Sequence, residues 1–166
     1  MFKWIKGFIV GLSICAGLVV LGIPSTAHAK YVGHYATPTE IRGTWYQYTG
    51  ENKFFVVKIT KHAIYDSGKI LYSTSKTGYR RLFVKKYTKN SGDSFGIRGS
   101  GTSYILNGHY KYDYQTVGQY WLSKTKVAGH RVLKNYHQMG NYNVFTRTKV
   151  KHNYCYENDS LKGIGR

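Results

Sequence analysis

Short runs of β-branched and aromatic residues, separated by turn residues, cover most of the chain after residue 41. Tyr, Val, Ile, Phe and Thr suit the pleated, half-buried surface of a strand, and few stretches rich in Leu, Ala or Glu interrupt them. The pattern therefore predicts an all-β protein. The predicted strands cover residues 43–49, 53–60, 62–66, 69–74, 79–87, 94–98, 102–106, 109–115, 119–124, 130–136 and 142–149.

Alternation within these runs predicts which side chains share a face, because successive side chains of a strand point to opposite sides of the sheet. The second predicted strand shows this most clearly. Phe55, Val57 and Ile59 lie on one face of it, and Phe54, Val56 and Lys58 lie on the other.

Turn residues between the runs predict how the strands connect. Gly, Asn, Asp and Ser tolerate the backbone conformations of tight hairpins, and they occur here as Gly50-Glu51-Asn52, Asp66-Ser67-Gly68, Asn90-Ser91-Gly92-Asp93 and Asn107-Gly108. Short connections favour an antiparallel meander. About eight to ten strands can limit their exposed edges by closing into a barrel or forming a sandwich, and we predict a single small antiparallel β-barrel.

The start of the chain has the pattern of an export signal. Two lysines precede an apolar run over residues 7–23, Pro24 follows it, and Ala27-His28-Ala29 offers small residues around a cleavage point. We predict a helical signal peptide over residues 1–29 and a secreted, extracellular protein. The apolar run also lies at the short limit of a membrane span, so an uncleaved anchor is the alternative. The predicted divisions are 1–29 signal peptide, 30–40 flexible lead-in, 41–156 β-barrel domain and 157–166 flexible C-terminal tail.

Charge changes this picture of a plain β protein. The formal net charge is +18, and loss of Lys3 and Lys6 with the leader lowers it to +16. Such an excess creates a long-range positive potential that attracts polyanions and weakens with salt. An exported protein meets anionic wall polymers and lipid headgroups rather than nucleic acid. We predict that the polyanion-binding residues are Lys58, Arg80, Lys85, Lys86, Lys111, Lys124 and Lys134.

The first predicted strand carries a recognisable motif. Arg42-Gly43-Thr44-Trp45-Tyr46 resembles the G-x-W signature that opens lipocalin-like, or calycin-like, barrels. That resemblance implies that Gly43 and an inward Trp45 close one end of the barrel beneath an arginine from late in the chain. Arg147 is the nearest match to that arginine, and Arg131 is the second choice. Stacking of a guanidinium on an indole ring gives the pairing a physical basis.

A broader resemblance covers nearly the whole chain. The R-G-T-W-Y start, Gly78-Tyr79-Arg80-Arg81-Leu82 in the middle and two late segments are similar to small secreted Tyr/Lys-rich proteins of lactic-acid bacteria. The late segments are Val132-Leu133-Lys134-Asn135-Tyr136 and Tyr142-Asn143-Val144-Phe145. This resemblance implies secretion and a β-rich fold, and it implies no particular activity.

Candidate chemistry is sparse. Most carboxylates lie in predicted turns or near the ends of the chain; Asp113 lies inside a predicted strand, and its expected role is pairing with a lysine. The histidines are dispersed without metal-ligand spacing, and no Gly-x-Ser-x-Gly segment occurs. Cys15 leaves with the leader, so Cys155 remains as an inert, partly buried thiol or as an intermolecular partner. We therefore predict a protein that is not an enzyme and has neither metal nor cofactor.

Three binding hypotheses follow from these features. The first is electrostatic association of a non-enzymatic protein with the bacterial envelope, with Tyr side chains as flat contact surfaces among the lysines. The second is a lipocalin-like carrier of a small apolar ligand, and the third is a secreted effector or inhibitor that docks on another protein. Large aromatics that compete for the interior favour a sealed core over a carrier: Trp45, Phe55, Phe83, Tyr120, Trp121 and Phe145.

Overall fold

A computed structural model describes residues 35–88, 101–107, 118–136 and 140–158. These residues all belong to one structural unit, Tyr31–Arg166. They form two single-turn 3-10 helices, Thr39–Ile41 and Gly78–Arg80, together with ten strands. The strands are β1 Gly43–Gly50, β2 Lys53–Ile59, β3 Ala63–Asp66, β4 Lys69–Ser73, β5 Lys85–Tyr87, β6 Ser103–Ile105, β7 Gln119–Leu122, β8 Val132–Tyr136, β9 Asn141–Thr146 and β10 Tyr156–Glu157.

All ten strands join one antiparallel sheet, in the order β4-β3-β2-β1-β9-β8-β7-β6-β5 with β10 beside β9. Strands that follow one another along the chain are neighbours on both branches of this order, as expected for a meander. β1 joins the two branches because it pairs with β2 on one side and β9 on the other. The sheet curls into a half-barrel, so the predicted all-β, antiparallel, barrel-like fold is confirmed at that level.

The predicted strands match the observed ones closely, with one exception. Residues 79–87 were expected to form one strand, but Gly78–Arg80 is a 3-10 turn, Arg81 and Phe83 form isolated β-bridges, and only Lys85–Tyr87 forms a strand. Gly78 has a φ of +55°, which turns the chain away from an extended path. The Leu82 amide then donates to the Ser73 carbonyl at 2.9 Å, at the edge of β4. The predicted strands 94–98 and 109–115, the Gly108 turn position and the leader lie outside the described residues.

The concave face of the sheet carries the main core. Apolar side chains from both branches meet there, and burial of this area is the principal favourable term in folding. Phe55 packs at the border of this cluster. Its buried members are Ile41, Trp45, Val57, Ile59, Ile64, Tyr72, Leu82, Val84, Tyr104, Leu106, Tyr120, Leu133 and Phe145.

A second, smaller core lies on the opposite face of β7, β8 and β9. It contains Trp121 and Tyr142, with Tyr136 and Tyr156 packed against them. Trp121 was expected in the interior beside Tyr120, but neighbours along a strand point to opposite faces, so only one of the two can face the interior. The structure places Tyr120 in the main core and Trp121, which is also fully buried, in the second core on the opposite face.

Folded structure begins before residue 41, where the lead-in was expected to end. The Thr37 amide donates to the Lys61 carbonyl at 3.0 Å, and the Thr37 hydroxyl donates to the Thr60 carbonyl at 2.7 Å. Pro38 is also buried. These bonds attach residues 37–40 to the end of β2, where the following 3-10 turn brings Ile41 into the core.

The C-terminal end also extends beyond its predicted limit. Glu157, assigned to a flexible tail, pairs with Asn141 in the β10–β9 ladder. The Asn158 amide donates to the Gly140 carbonyl at 2.9 Å. The first two residues of the predicted flexible tail, Glu157 and Asn158, are therefore bonded to the sheet. Residues 159–166 lie outside the described part of the chain.

Arg147 covers Trp45 at one end of the sheet. The Arg147 Cζ atom lies 3.6 Å from the centre of the Trp45 ring, and its Nη2 donates to the Arg42 carbonyl at 2.5 Å. Trp45 is 0% exposed, and its Nε1 donates to the Ile41 carbonyl at 2.8 Å. Partial burial, and secondly the charge of Arg131, lower the pKa of Arg147.

Gly43 leaves room for this arginine. A Cβ atom at Gly43 would lie 1.8 Å from Arg147 Nη1, and the φ of +119° at this position is one that other residues rarely adopt. We predict that Gly43→Ala lowers the free energy of unfolding by about 2–4 kcal/mol, because it adds backbone strain and displaces the guanidinium from Trp45. Urea unfolding followed by tryptophan fluorescence measures this loss.

Gly50→Ala is the matched control. Gly50 has a similar φ of +98°, but an added Cβ would meet no atom within 4 Å. This variant should lose only the strain of about 1–3 kcal/mol, so the difference between the two variants reports the Arg147–Trp45 contact. Equal losses in both variants would show that the contact contributes nothing to stability.

Candidate functional site

The convex side of β1, β2 and β3 combines half-exposed aromatic rings with lysines. Trp45 faces Val57 across the β1–β2 ladder on the core side, so the alternate pairs Tyr46↔Val56 and Tyr48↔Phe54 face outward. We call this surface the aromatic–lysine face and define it by Tyr46, Tyr48, Phe54, Lys58, Tyr65 and Lys149.

The Phe54 ring contacts two tyrosine rings of this face. The Tyr46 and Phe54 centroids lie 6.5 Å apart with an angle of 87° between their planes, and those of Tyr48 and Phe54 lie 5.4 Å apart at 60°. Edge-to-face and tilted geometries of this kind are the favourable ones for aromatic pairs. The cluster therefore presents a fixed aromatic surface on two paired strands.

Two exposed lysines lie over aromatic rings of this face. Lys149 Nζ is 5.7 Å from the centroids of both Tyr46 and Phe54. Lys58 Nζ is 5.8 Å from the centroid of Tyr65, its partner across the β2–β3 ladder. At an exposed site a cation over a ring gains about 0.5–1 kcal/mol. The rings therefore favour ammonium positions on the face while leaving the charges accessible.

Carboxylates do little to neutralise the positive charge. Within the four described ranges the one salt bridge joins Lys53 Nζ to Glu51 Oε2 at 2.7 Å, at the tip of the β1–β2 hairpin. Glu40 accepts a hydrogen bond from the Tyr104 hydroxyl. Lys58 and Lys149 thus have no ion-pair partner among the residues that the structure describes.

The predicted polyanion-binding residues are spread over several elements. Lys58 is exposed on the aromatic–lysine face, whereas Lys86 is exposed on β5 at the far end of the sheet order, beside a half-buried Lys85. Lys124 is exposed after β7. Arg80 is exposed in the 3-10 turn, where its Nη2 donates to the Ile70 carbonyl at 2.8 Å. No contact joins these residues into one cluster in the described structure, and Lys111 lies outside it.

Lys134 does not fit its predicted role. It is only 3% exposed, and its Nζ donates to the Tyr156 hydroxyl at 3.0 Å and lies 4.9 Å from the centre of that ring. Burial lowers the pKa of Lys134, and it raises the pKa of Tyr156 to about 12, with a smaller effect from Tyr142. An ammonium group in this position is not displayed to a polymer in solution.

The C-terminal segment covers Lys134 because it inserts beside β9. The register between β1 and β9 contains the single pair Tyr46↔Thr146, and beyond it Cys155 lies between the two strands. Cys155 Sγ is 3.0 Å from Gln47 Nε2 and 3.4 Å from the Val144 amide nitrogen, both donors. β10 then pairs with the start of β9, and the Tyr156 and Tyr142 rings stack with centroids 4.9 Å apart.

An open cleft of about 430 Å³ lies beside this segment. Asn143, Cys155 and Glu157 are among its lining residues. Burial raises the pKa of the Cys155 thiol, with hydrogen bonds from Val144 and Gln47 as smaller opposing effects. A raised pKa keeps the thiol protonated near neutral pH, which makes it a weak nucleophile.

Sequence reasoning found part of the aromatic–lysine face. It placed Phe54 and Val56 beside Lys58 by alternation, but it did not join Tyr46, Tyr65 or Lys149 to them. The alternation of β1 already indicated that Tyr46 faces away from Trp45. Lys149 gives no such signal, because it follows β9 and reaches this surface only through the fold.

The described ranges contain no group of three or more His, Cys, Asp or Glu side chains arranged to hold a metal ion. No helix among these residues has the length and apolar character that crossing a membrane requires. No protein-family model matches the chain, and no curated protein or solved structure is significantly similar to it.

The buried Lys134 leads to a prediction about pH. The pKa of Lys134 is lowered in the folded state. At pH values between this lowered pKa and the ordinary pKa of 10.5, the unfolded chain therefore binds more protons than the folded chain. The free energy of unfolding contributed by Lys134 rises with pH over this interval. We predict that Lys134→Met is as stable as the parent or more stable by about 1 kcal/mol at pH 7, and that the difference shrinks toward pH 10. Urea unfolding at intervals over this pH range measures the difference.

Lys124→Met removes an exposed lysine and serves as the control. Its effect on the free energy of unfolding should be small and nearly independent of pH over the same range. A constant difference between Lys134→Met and the parent from pH 7 to 10 would show that Lys134 titrates as an ordinary lysine.

Proposed function

We propose that this protein is an exported, non-enzymatic cationic protein that associates with the bacterial envelope by charge. The observation that carries the proposal is the excess of cations that no carboxylate neutralises. The net charge is +18, and one salt bridge, at an exposed hairpin tip, is present in the described structure. Unpaired surface cations attract a polyanion over a Debye length of about 8 Å at physiological ionic strength.

The geometry of the sheet supports binding rather than general solubility alone. A solubilising surface gains as much from mixed charges as from one sign. Here Lys58 and Lys149 instead lie over aromatic rings on one face, with no carboxylate among their contacts. A polymer that lies along this face would meet charge and ring surface together.

A closed barrel is the finer form of the fold that we propose. Up-and-down barrels pair their first and last long strands, and β1 pairs with β9 here. The hydrogen bond from Leu82 to Ser73 and the parallel bridge between Ser73 and Arg81 attach the edge of β4 to the segment that leads into β5. Closure would leave the convex surface, and not a sheet edge, as the main area for contacts.

Export remains the part of the proposal that rests on sequence. The two lysines, the apolar run and the Ala27-His28-Ala29 site are typical of a cleaved leader, and the leader lies outside the described residues. The resemblance to secreted Tyr/Lys-rich proteins supports the same location. Envelope polymers are then the abundant polyanions that the protein meets.

We predict that the purified protein pellets with isolated bacterial walls and that rising salt releases it, because screening weakens attraction between exposed charges. Walls stripped of their phosphate polymers should retain several-fold less protein. Quantitative co-sedimentation between about 0.05 and 0.5 M NaCl measures both effects. Retention that salt does not change, or equal retention on native and stripped walls, contradicts the proposed partner.

Lys58→Gln/Lys149→Gln tests the face, and Lys76→Gln/Lys126→Gln is the matched control. Both pairs remove two exposed lysines, but the control pair lies outside the aromatic–lysine face. The first pair should weaken wall binding more than the second. An equal loss would mean that net charge alone governs retention.

A further inference from the structure

We infer that the aromatic–lysine face binds an anionic polysaccharide, that is, a polymer whose repeating unit carries a sugar ring as well as a negative charge. The inference rests on the proposed function, because it names the class of polyanion that the proposed surface recognises. It adds a contribution of the aromatic rings to the binding affinity, which attraction between charges alone does not provide.

The charged part of the face suits a linear polymer. Lys58 pairs with Thr44 across β1 and β2. The Lys149 ammonium group lies over the rings of Tyr46 and Phe54, which are further along the same two strands. Two to four residues of antiparallel strand separate these levels, which corresponds to roughly 7–14 Å. The two lysines are therefore offset along the strand direction, and also across it because Lys58 Nζ lies over Tyr65 on β3, so an extended polymer could contact both in succession.

The aromatic part of the face lies between and beside these charges. Tyr46, Tyr48 and Phe54 are half-exposed and Phe54 contacts both tyrosines, so they offer ring surface without a large loss of side-chain freedom. The C–H faces of a sugar ring are apolar and pack against aromatic rings, while the Tyr hydroxyls can bond to sugar hydroxyls. A polymer made only of phosphate groups would gain nothing from these rings.

A lipid surface fits the face less well. Side chains that enter a bilayer interface must project from the protein, as amphipathic aromatic anchors do. The large hydrophobic side chains that project most in the described structure are Tyr79, 66% exposed, and Tyr35, 45% exposed, and both lie away from this face. Tyr46, Tyr48 and Phe54 are only partly exposed and do not project from the sheet as these two side chains do.

The test compares binding of the full chain to four probes at one ionic strength: hyaluronate, a polyphosphate of similar length, phosphatidylglycerol vesicles and neutral dextran. Tyr46→Leu/Phe54→Leu removes the rings but keeps apolar side chains. Tyr79→Leu makes the same kind of change off the face and is the control. Circular dichroism and thermal melting establish that each variant is folded, and Tyr48→Leu alone replaces the double variant if that one does not fold.

We expect the ring variant to bind hyaluronate about fivefold more weakly and polyphosphate within twofold of the parent, since the ring contribution acts only on the sugar. Tyr79→Leu should leave both affinities unchanged. Lys58→Gln/Lys149→Gln should weaken binding to both polyanions, and dextran should bind too weakly to measure.

Two results would overturn this inference while leaving the proposed function in place. One is an equal effect of the ring variant on hyaluronate and polyphosphate, which would mean recognition by charge alone. The other is preferential binding to the vesicles, which would identify a membrane surface as the partner. If the parent binds no anionic probe in a salt-dependent way, the proposed function fails as well.

Discussion

The antiparallel register between β1 and β2 determines both the core and the candidate binding surface. Trp45 lies opposite Val57, and this pair points into the concave side of the sheet. The neighbouring pair, Tyr46 and Val56, must then point outward, since side chains alternate along a strand. A slip of one residue would place Lys58 in the core and expose Ile59, so burial of the core fixes the aromatic–lysine face at the same time.

The same constraint explains why one sheet can carry two cores and a charged surface. Within the described residues the convex side of β1 and β2 is partly exposed, whereas on the convex side of β8 and β9 the Tyr156 side chain of β10 packs over Tyr142 and Lys134. Residues that point to the convex side therefore differ in their exposure between the two branches. Lys58 remains exposed over Tyr65, while Lys134 is buried beneath Tyr156 and has its pKa lowered. A buried ammonium group opposes folding unless its partners compensate, and here the compensation comes from a phenol hydroxyl and its ring.

Local sequence patterns predicted the features that local physics decides. The alternation of residues 53–60 predicted the two faces of β2. The resemblance to the G-x-W motif implied that Arg147 covers Trp45, and the structure places the Arg147 Cζ atom 3.6 Å from the centre of the Trp45 ring. The patterns could not predict what covers the outward side of β8, because β10 is two residues long and has no periodicity of its own. For that reason Lys134 was interpreted as a surface residue and Trp121 as an interior one. The proposed polymer-binding role of the face has no local signature either, since it depends on Lys149 reaching β1 through the fold.

The segment after β9 links the stability of the sheet to the composition of the face. Thr146 pairs with Tyr46, and its hydroxyl contacts both the Tyr46 carbonyl and the Thr148 carbonyl. Arg147 then lies over Trp45, while Lys149 lies over Tyr46, the next residue of β1. Two cations spaced two residues apart thus occupy opposite sides of the same strand. Because the position of Lys149 depends on the β1–β9 seam that Arg147 helps to hold, loosening of the Trp45 end should also remove a charge from the aromatic–lysine face. Packing at the end of the sheet and the proposed recognition on its convex side are therefore coupled through residues 147–149.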